Sequence, residues 1–116
     1  MFEFQKLEVY KKAKLFYINN KAILGESRQE SFVKDQLSRA SFSVALNLAE
    51  GSGKFTNADR KKFFTIARAS VFECVAILDI LKDEKKIKME VYQSQLEMAD
   101  ELSRVLYSMI KKLMQQ

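Results

Sequence analysis

No proline interrupts this chain of 116 residues, and its three glycines, Gly25, Gly51 and Gly53, read as punctuation between long apolar-periodic stretches. Proline removes a backbone donor and glycine loosens the backbone, so a chain that lacks the one and rations the other is built of helices. Four periodic segments follow. The first runs from about Gln5 to Leu24 with Leu7, Val9, Tyr10, Ala13, Phe16, Tyr17, Ile23 and Leu24 near a helical period, and Gly25 marks its end. The second starts after Ser27, whose spacing to Glu30 is that of a capping box. It carries Val33, Leu37, Ala40, Val44 and Leu48 inward as far as Gly51, Ser52 and Gly53. The third begins at a cap near Thr56 with Asp59 in its first turn. Its stripe is Phe63, Ile66, Ala67, Ser70, Cys74, Ile77 and Leu81, and it stops in the charged run from Asp83 to Lys86. The fourth, from about Met89 to Met114, places Tyr92, Gln95, Ala99, Leu102, Leu106, Met109 and Leu113 at the alternating three- and four-residue steps of a bundle seam. Similar lengths and short connections predict an all-α fold, an antiparallel up-down-up-down four-helix bundle forming a single domain over residues 1–116.

Composition narrows the chemistry. The chain has no histidine and one cysteine, Cys74, which excludes histidine general bases, Ser-His-Asp triads and internal disulfides and leaves too few ligands for a structural zinc site. No metal and no cofactor are expected. There is no long apolar run and no signal-peptide pattern at the start, so the expectation is a cytoplasmic protein without membrane contact. The formal charge of +5 is compatible with a polyanionic partner without requiring one. Cys74 lies on the third stripe and reads as a small buried hydrophobe.

Three features carry functional expectations. On the second helix Gln36, Arg39, Ser43, Asn47 and Glu50 share one face at the border of the apolar stripe, and Ser70 and Glu73 share a face on the third. This predicts a structural polar network, in the bundle core or at a subunit interface, with Arg39 as the cation for a buried carboxylate. The alternative for Glu50 and Glu73 is acid–base work at a shared cavity. Second, Lys54, Arg60, Lys61 and Lys62 crowd the start of the third helix, where the helix dipole already favours anions; a phosphate contact is the functional reading and cations extended into water the plain one. No nucleotide-binding glycine motif accompanies them. Third, the first helix carries Lys6, Lys11, Lys12, Lys14 and Lys21 interleaved with Tyr10 and Tyr17. Of these, Lys11 and Lys14 join the candidate nucleic-acid contacts, and the alternative is a solvated face.

The stretches Gln36-Leu37-Ser38-Arg39-Ala40 and Ser43-Val44-Ala45-Leu46-Asn47-Leu48-Ala49-Glu50-Gly51-Ser52-Gly53-Lys54, the run from Phe63 to Glu73, and the opening from Lys6 to Ala13 resemble the bacterial four-helix-bundle family encoded by intervening sequences in 23S ribosomal RNA genes. That family is also labelled ribosomal and is related to the accessory variability protein of diversity-generating retroelements. The likeness covers nearly the whole chain, its most specific part being Asn-x-Ala-Glu-Gly-x-Gly. Ala45 stands where members often carry proline, which should straighten the second helix. The resemblance implies a homopentamer with a central channel and a non-enzymatic accessory role near RNA or a reverse transcriptase. It places the family's signature polar residues on Arg39, Ser43, Asn47, Glu50, Ser70 and Glu73. Two functions are therefore expected: binding of structured nucleic acid, RNA or DNA, through basic patches, or, alternatively, docking as a protein–protein adaptor on a partner such as a reverse transcriptase.

Overall fold

The computed structural model describes residues 2–26 and 30–115. A short 3-10 turn, Glu3–Lys6, precedes four helices: α1 (Glu8–Glu26), α2 (Ser31–Ser52), α3 (Asn57–Asp83) and α4 (Met89–Met114). Cross-helix pairs fix their directions. Asn20 meets Ser41, Ser43 meets Ser70, Gln36 meets Glu73, Asp79 meets Tyr92, Arg68 meets Ser103, and Lys12 meets Glu101. Between α2 and α3 and between α3 and α4 a later residue of one helix meets an earlier residue of the next, and Gln95 opposite Asn20 with Glu101 opposite Lys12 sets α4 against α1 in the same way. The bundle is thus antiparallel around a closed ring, with α2 on α3, α3 on α4, and α4 and α2 both on α1. It measures 45 × 27 × 22 Å.

The core is a single cluster running the length of the bundle, centred on Phe16, Leu37, Val44, Leu48, Phe64, Val71, Leu78, Leu102 and Leu106. The expected stripes of α2 and α4 face it, with Leu37, Ala40, Val44 and Leu48 buried on one and Gln95, Ala99, Leu102 and Leu106 on the other. On α3 the phase differs. Phe64, Val71 and Leu78 are buried, whereas Phe63 and Ile77 are half-buried and Ile66 is exposed. This helix packs against both α2 and α4, so its buried arc is wide, and the expected stripe follows the α2-facing edge of that arc.

Helix ends depart from expectation where glycine is concerned. The Ser27 half of the predicted capping box lies outside the described residues, and α2 opens at Ser31 with Glu30 as its cap, without a side-chain bond. Thr56 does cap α3, its Oγ1 accepting from the Asp59 N–H at 3.1 Å. Gly25 and Gly51 lie inside the last turns of α1 and α2 instead of ending them, and no glycine has positive φ. The left-handed position is held by Lys85, at φ 59°, just after α3. There the Lys86 N–H reaches back to the Leu81 carbonyl at 2.9 Å, the closure of a Schellman turn. Helix α2 runs unbroken through Ala45, which is buried.

Candidate nucleic-acid interface

The topology brings four chain segments to one end of the bundle: the 3-10 turn, the end of α2, the start of α3 and the end of α4. Between them lies a recess of about 500 Å³ with Lys6, Arg60 and Lys112 on its wall, floored by Phe64, Met109 and Leu113. Arg60 is fixed there because its Nε donates to the Lys54 carbonyl at 2.7 Å. The Lys54 ammonium lies 4.9 Å from the Phe63 ring centroid, a cation–π contact. Lys61 and Lys62 follow on the first turns of α3, both exposed, and Lys111 stands beside Lys112 on the last turn of α4. Against these cations stand Glu3, Glu50 and Asp59. Glu3 pairs with Lys6 at 3.5 Å, while among the described residues Lys54, Arg60, Lys61, Lys62, Lys111 and Lys112 form no ion pair. Lys111 and Lys112 complement the negative end of the α4 dipole, and Lys54, just past the end of α2, complements that of α2, whereas Arg60, Lys61 and Lys62 follow the positive end of α3.

Lys11 and Lys14 lie on the first two turns of α1, at the same end; Lys11 is ion-paired, whereas Lys14, like Lys54, meets an aromatic ring. Lys11 pairs with Glu8 at 3.3 Å, and Lys14 sits 5.0 Å from the Tyr10 ring. Lys6, Lys111 and Lys112 were not among the expected contacts, although they complete the recess. They lie far from Arg60 in sequence, and only the topology joins them.

The polar residues divide in two. Ser70 Oγ donates to Ser43 Oγ at 2.9 Å, and the Asn47 amide donates to the Ser43 carbonyl and hydroxyl, each at 2.9 Å. Gln36 and Glu73 are hydrogen bonded across α2 and α3. Arg39 and Glu50 do not join them: both are exposed and, among the described residues, neither forms an ion pair. The expectation that Arg39 neutralises a buried carboxylate is thus corrected. The row sits on the outer seam between α2 and α3, where water solvates the charged ends and only Ser43, Asn47 and Ser70 reach inward. Nor do Glu50 and Glu73 converge. Glu73 lies opposite Gln36 and Glu50 near the other end of α2, roughly 15 Å or more along the bundle.

The buried polar network is a different one. Gln95 Nε2 donates to Asn20 Oδ1 at 2.8 Å, Asn20 Nδ2 donates to Ser41 Oγ at 2.8 Å, and Ser41 Oγ meets Cys74 Sγ at 3.5 Å. Each helix contributes one residue, and all four are buried. Among the described residues no buried side-chain polar atom lacks a partner. Desolvation pushes the Cys74 thiol up to about 11, with the Ser41 hydrogen bond opposing and Glu73 reinforcing the shift.

A third feature is an aromatic recess on the α3–α4 face. Arg68 lies with its guanidinium 4.7 Å from the Phe72 ring centroid and 5.6 Å from that of Tyr107, and its Nε donates to the Ser103 carbonyl at 3.2 Å. Among the described residues there is no cluster of His, Cys, Asp and Glu able to hold a metal ion, and no helix is long and apolar enough to cross a membrane.

A crystal structure of a protein of unknown function from the S23 ribosomal protein family of Bacteroides thetaiotaomicron VPI-5482 superposes with a TM-score of 0.83 at 24% identity, covering 89% of this chain and 98% of that one. At that identity the likeness speaks for the fold. No curated protein matches the chain. The family model described as 23S rRNA-intervening sequence protein matches residues 5–108, nearly the whole bundle, and leaves outside it the first half of the 3-10 turn and the last six residues of α4. The chain belongs to the family of 23S rRNA-intervening sequence proteins.

Proposed function

We propose that this protein is a non-enzymatic accessory protein that binds structured RNA through the phosphate backbone, using the basic end of the bundle. The observation that carries the reading is the recess lined by Lys6, Arg60 and Lys112, with Lys54, Lys61, Lys62 and Lys111 close to them in the chain at the same end of the bundle. Arg60, Lys61 and Lys62 add their charge near the positive end of α3 and have no carboxylate paired with them among the described residues, so a polyanion finds uncompensated charge there. Contacts of this kind read shape and charge instead of sequence. Self-association belongs to the same proposal. Leu46 on α2 and Ile66 on α3 are 46% and 40% exposed, apolar side chains on the outer side of α2 and α3 that a second copy would cover, and assembly would multiply a modest basic patch. The same residues support the alternative of an adaptor docked on a protein such as a reverse transcriptase.

The test is a gel-shift titration with an RNA hairpin at about 50 mM and about 200 mM salt, on the wild type and on K54E/R60E/K61E. Binding at low salt that falls by about a hundredfold or more at high salt, and is lost on charge reversal, supports the proposal. Absence of binding at low salt, or binding indifferent to the three substitutions, rejects it and leaves the adaptor reading.

A further inference from the structure

We propose that Phe72 and Tyr107, bracketing Arg68 on the α3–α4 face, form a stacking platform for unpaired RNA bases, so that the RNA held by the basic end is one with a single-stranded segment. This rests on the RNA-binding reading above and specifies its ligand.

The platform has the parts such a site needs. Phe72 is 55% and Tyr107 51% exposed, so each ring leaves about half of its surface to the solvent. Arg68 is held at the Phe72 and Tyr107 rings by its hydrogen bond to the Ser103 carbonyl across the helix interface. Lys111 lies 5.7 Å from the Tyr107 ring. The recess they line has a volume of about 440 Å³, ample for a base. Exposed rings among cations suit a flat, π-rich, negatively charged ligand, and unpaired nucleotides have that chemistry. Asp100, which lines a neighbouring pocket with Phe72, is paired with Arg104 at 2.9 Å.

Continuity with the basic end selects RNA over an acidic peptide. Lys61 precedes Arg68 by two turns on the same side of α3, about 10 Å along the axis, and Lys111 follows Tyr107 by one turn on α4. Cations therefore stand both at the bundle end and beside the rings, and a strand leaving the phosphate site along α3 meets Lys61, then Arg68 and the two aromatic faces. The exposed apolar residues of the α2–α3 side, Leu46, Ile66 and Ile80, offer no aromatic ring on which a base could stack.

Three measurements test the platform: affinity of the whole protein at low salt for a pyrimidine-rich single strand and for a blunt hairpin whose strands are joined by a non-nucleotide linker, the same for F72L/Y107L, and photo-crosslinking of wild type to a 4-thiouridine-labelled single strand. Leucine retains the apolar bulk and helix preference while removing the ring. The expected result is about a tenfold loss of single-strand affinity in the variant with hairpin affinity unchanged, and crosslinks in the peptides that hold Phe72 and Tyr107. Unchanged single-strand affinity in F72L/Y107L overturns the platform. So do crosslinks confined to other helices, a readout that holds even if the variant is poorly folded. Hairpin binding that persists in either case leaves the basic end standing alone; no binding of either RNA by wild type removes both proposals.

Discussion

The side-chain amide of Gln95 on α4 donates to Asn20 on α1 across the centre of the bundle at 2.8 Å, and Asn20 passes the bond on to Ser41 on α2. Asn20 spends both its carbonyl and its amide on buried partners, so its loss strands two groups at once. We expect Asn20→Ala to destabilise the fold by about 2–4 kcal/mol, more than an ordinary surface asparagine would cost. Replacing the set together, as N20L/S41A/Q95L, removes the stranded groups and should return stability to within about 1 kcal/mol of wild type or above it. Urea unfolding of the two variants checks both figures. If the network also sets helix register, the triple variant will show poorer NMR dispersion despite its stability. Equal costs for the single and triple variants would show that the bonds contribute nothing beyond packing.

Much of this was legible in the residues. The four periodic stripes predicted four helices, and on α2 and α4 they named the buried residues. Gln95 was legible as a polar residue on an apolar seam. Asn20 carries the same signal, since it follows Phe16 by four residues and precedes Ile23 and Leu24 by three and four, all of them buried. It passes for a surface residue only because Asn19 stands beside it. The polar row of α2 was read one face too deep. Its spacing shows that Arg39, Asn47 and Glu50 share a side, but not whether a neighbouring helix covers it. The basic end was half legible, because Lys54 to Lys62 are contiguous while Lys6, Lys111 and Lys112 reach it only through the up-down topology.

Glycine and left-handed backbone occur at different places, and this gives three substitutions of opposite sign. A Cβ on Gly51 would come within 2.7 Å of the buried Phe64 ring and 3.1 Å of Phe63 Cβ. The crowding should outweigh alanine's helix preference and make Gly51→Ala destabilising by about 1–2 kcal/mol. Gly25 has nothing within 4 Å of such a Cβ and has helical backbone, so Gly25→Ala should stabilise by about 0.5–1 kcal/mol. Lys85 occupies the left-handed region that glycine enters freely, so Lys85→Gly should stabilise by about 1 kcal/mol. Thermal unfolding of the three variants should order them with Gly51→Ala below wild type and the other two above.

Cys74 sits at the end of the buried network with its thiol pushed up to about 11 by burial. At pH 8 only about one thiol in a thousand is then ionised, and thiolate is the reactive form. Labelling of the native protein by a disulfide reagent should be slow and limited by unfolding, and should accelerate by orders of magnitude in urea. Rapid stoichiometric labelling of folded protein at pH 8 would contradict this. Cys74→Ala should cost about 1–2 kcal/mol, and Ser41 keeps its bond to Asn20.

The Asp79, Lys82 and Tyr92 cluster joins α3 to the start of α4 and sets the expected pH dependence. Lys82 lies 3.0 Å from Asp79 Oδ1, and the Tyr92 hydroxyl donates to the same oxygen at 3.1 Å. The Lys82 hydrogen bond, then that of Tyr92, holds the Asp79 carboxyl below its ordinary 3.8. The bond to Asp79 in turn raises Lys82 above 10.5, while burial first and Asp79 second raise Tyr92 above 10.0. A depressed acid stabilises the fold above its unfolded pKa, and that contribution is lost as pH falls through the folded value. A raised base or phenol stabilises below its unfolded pKa and loses the contribution as pH rises through the folded one. The cluster therefore contributes fully between about pH 4 and pH 10 and fades outside both limits. Asp79→Asn should lower the melting temperature by a constant, small amount across that window, because the groups are solvent-screened. Below pH 3.8 the variant and wild type should converge as Asp79 protonates. A difference that persisted unchanged into strong acid would mean that the substitution acts through packing against α4 and not through charge.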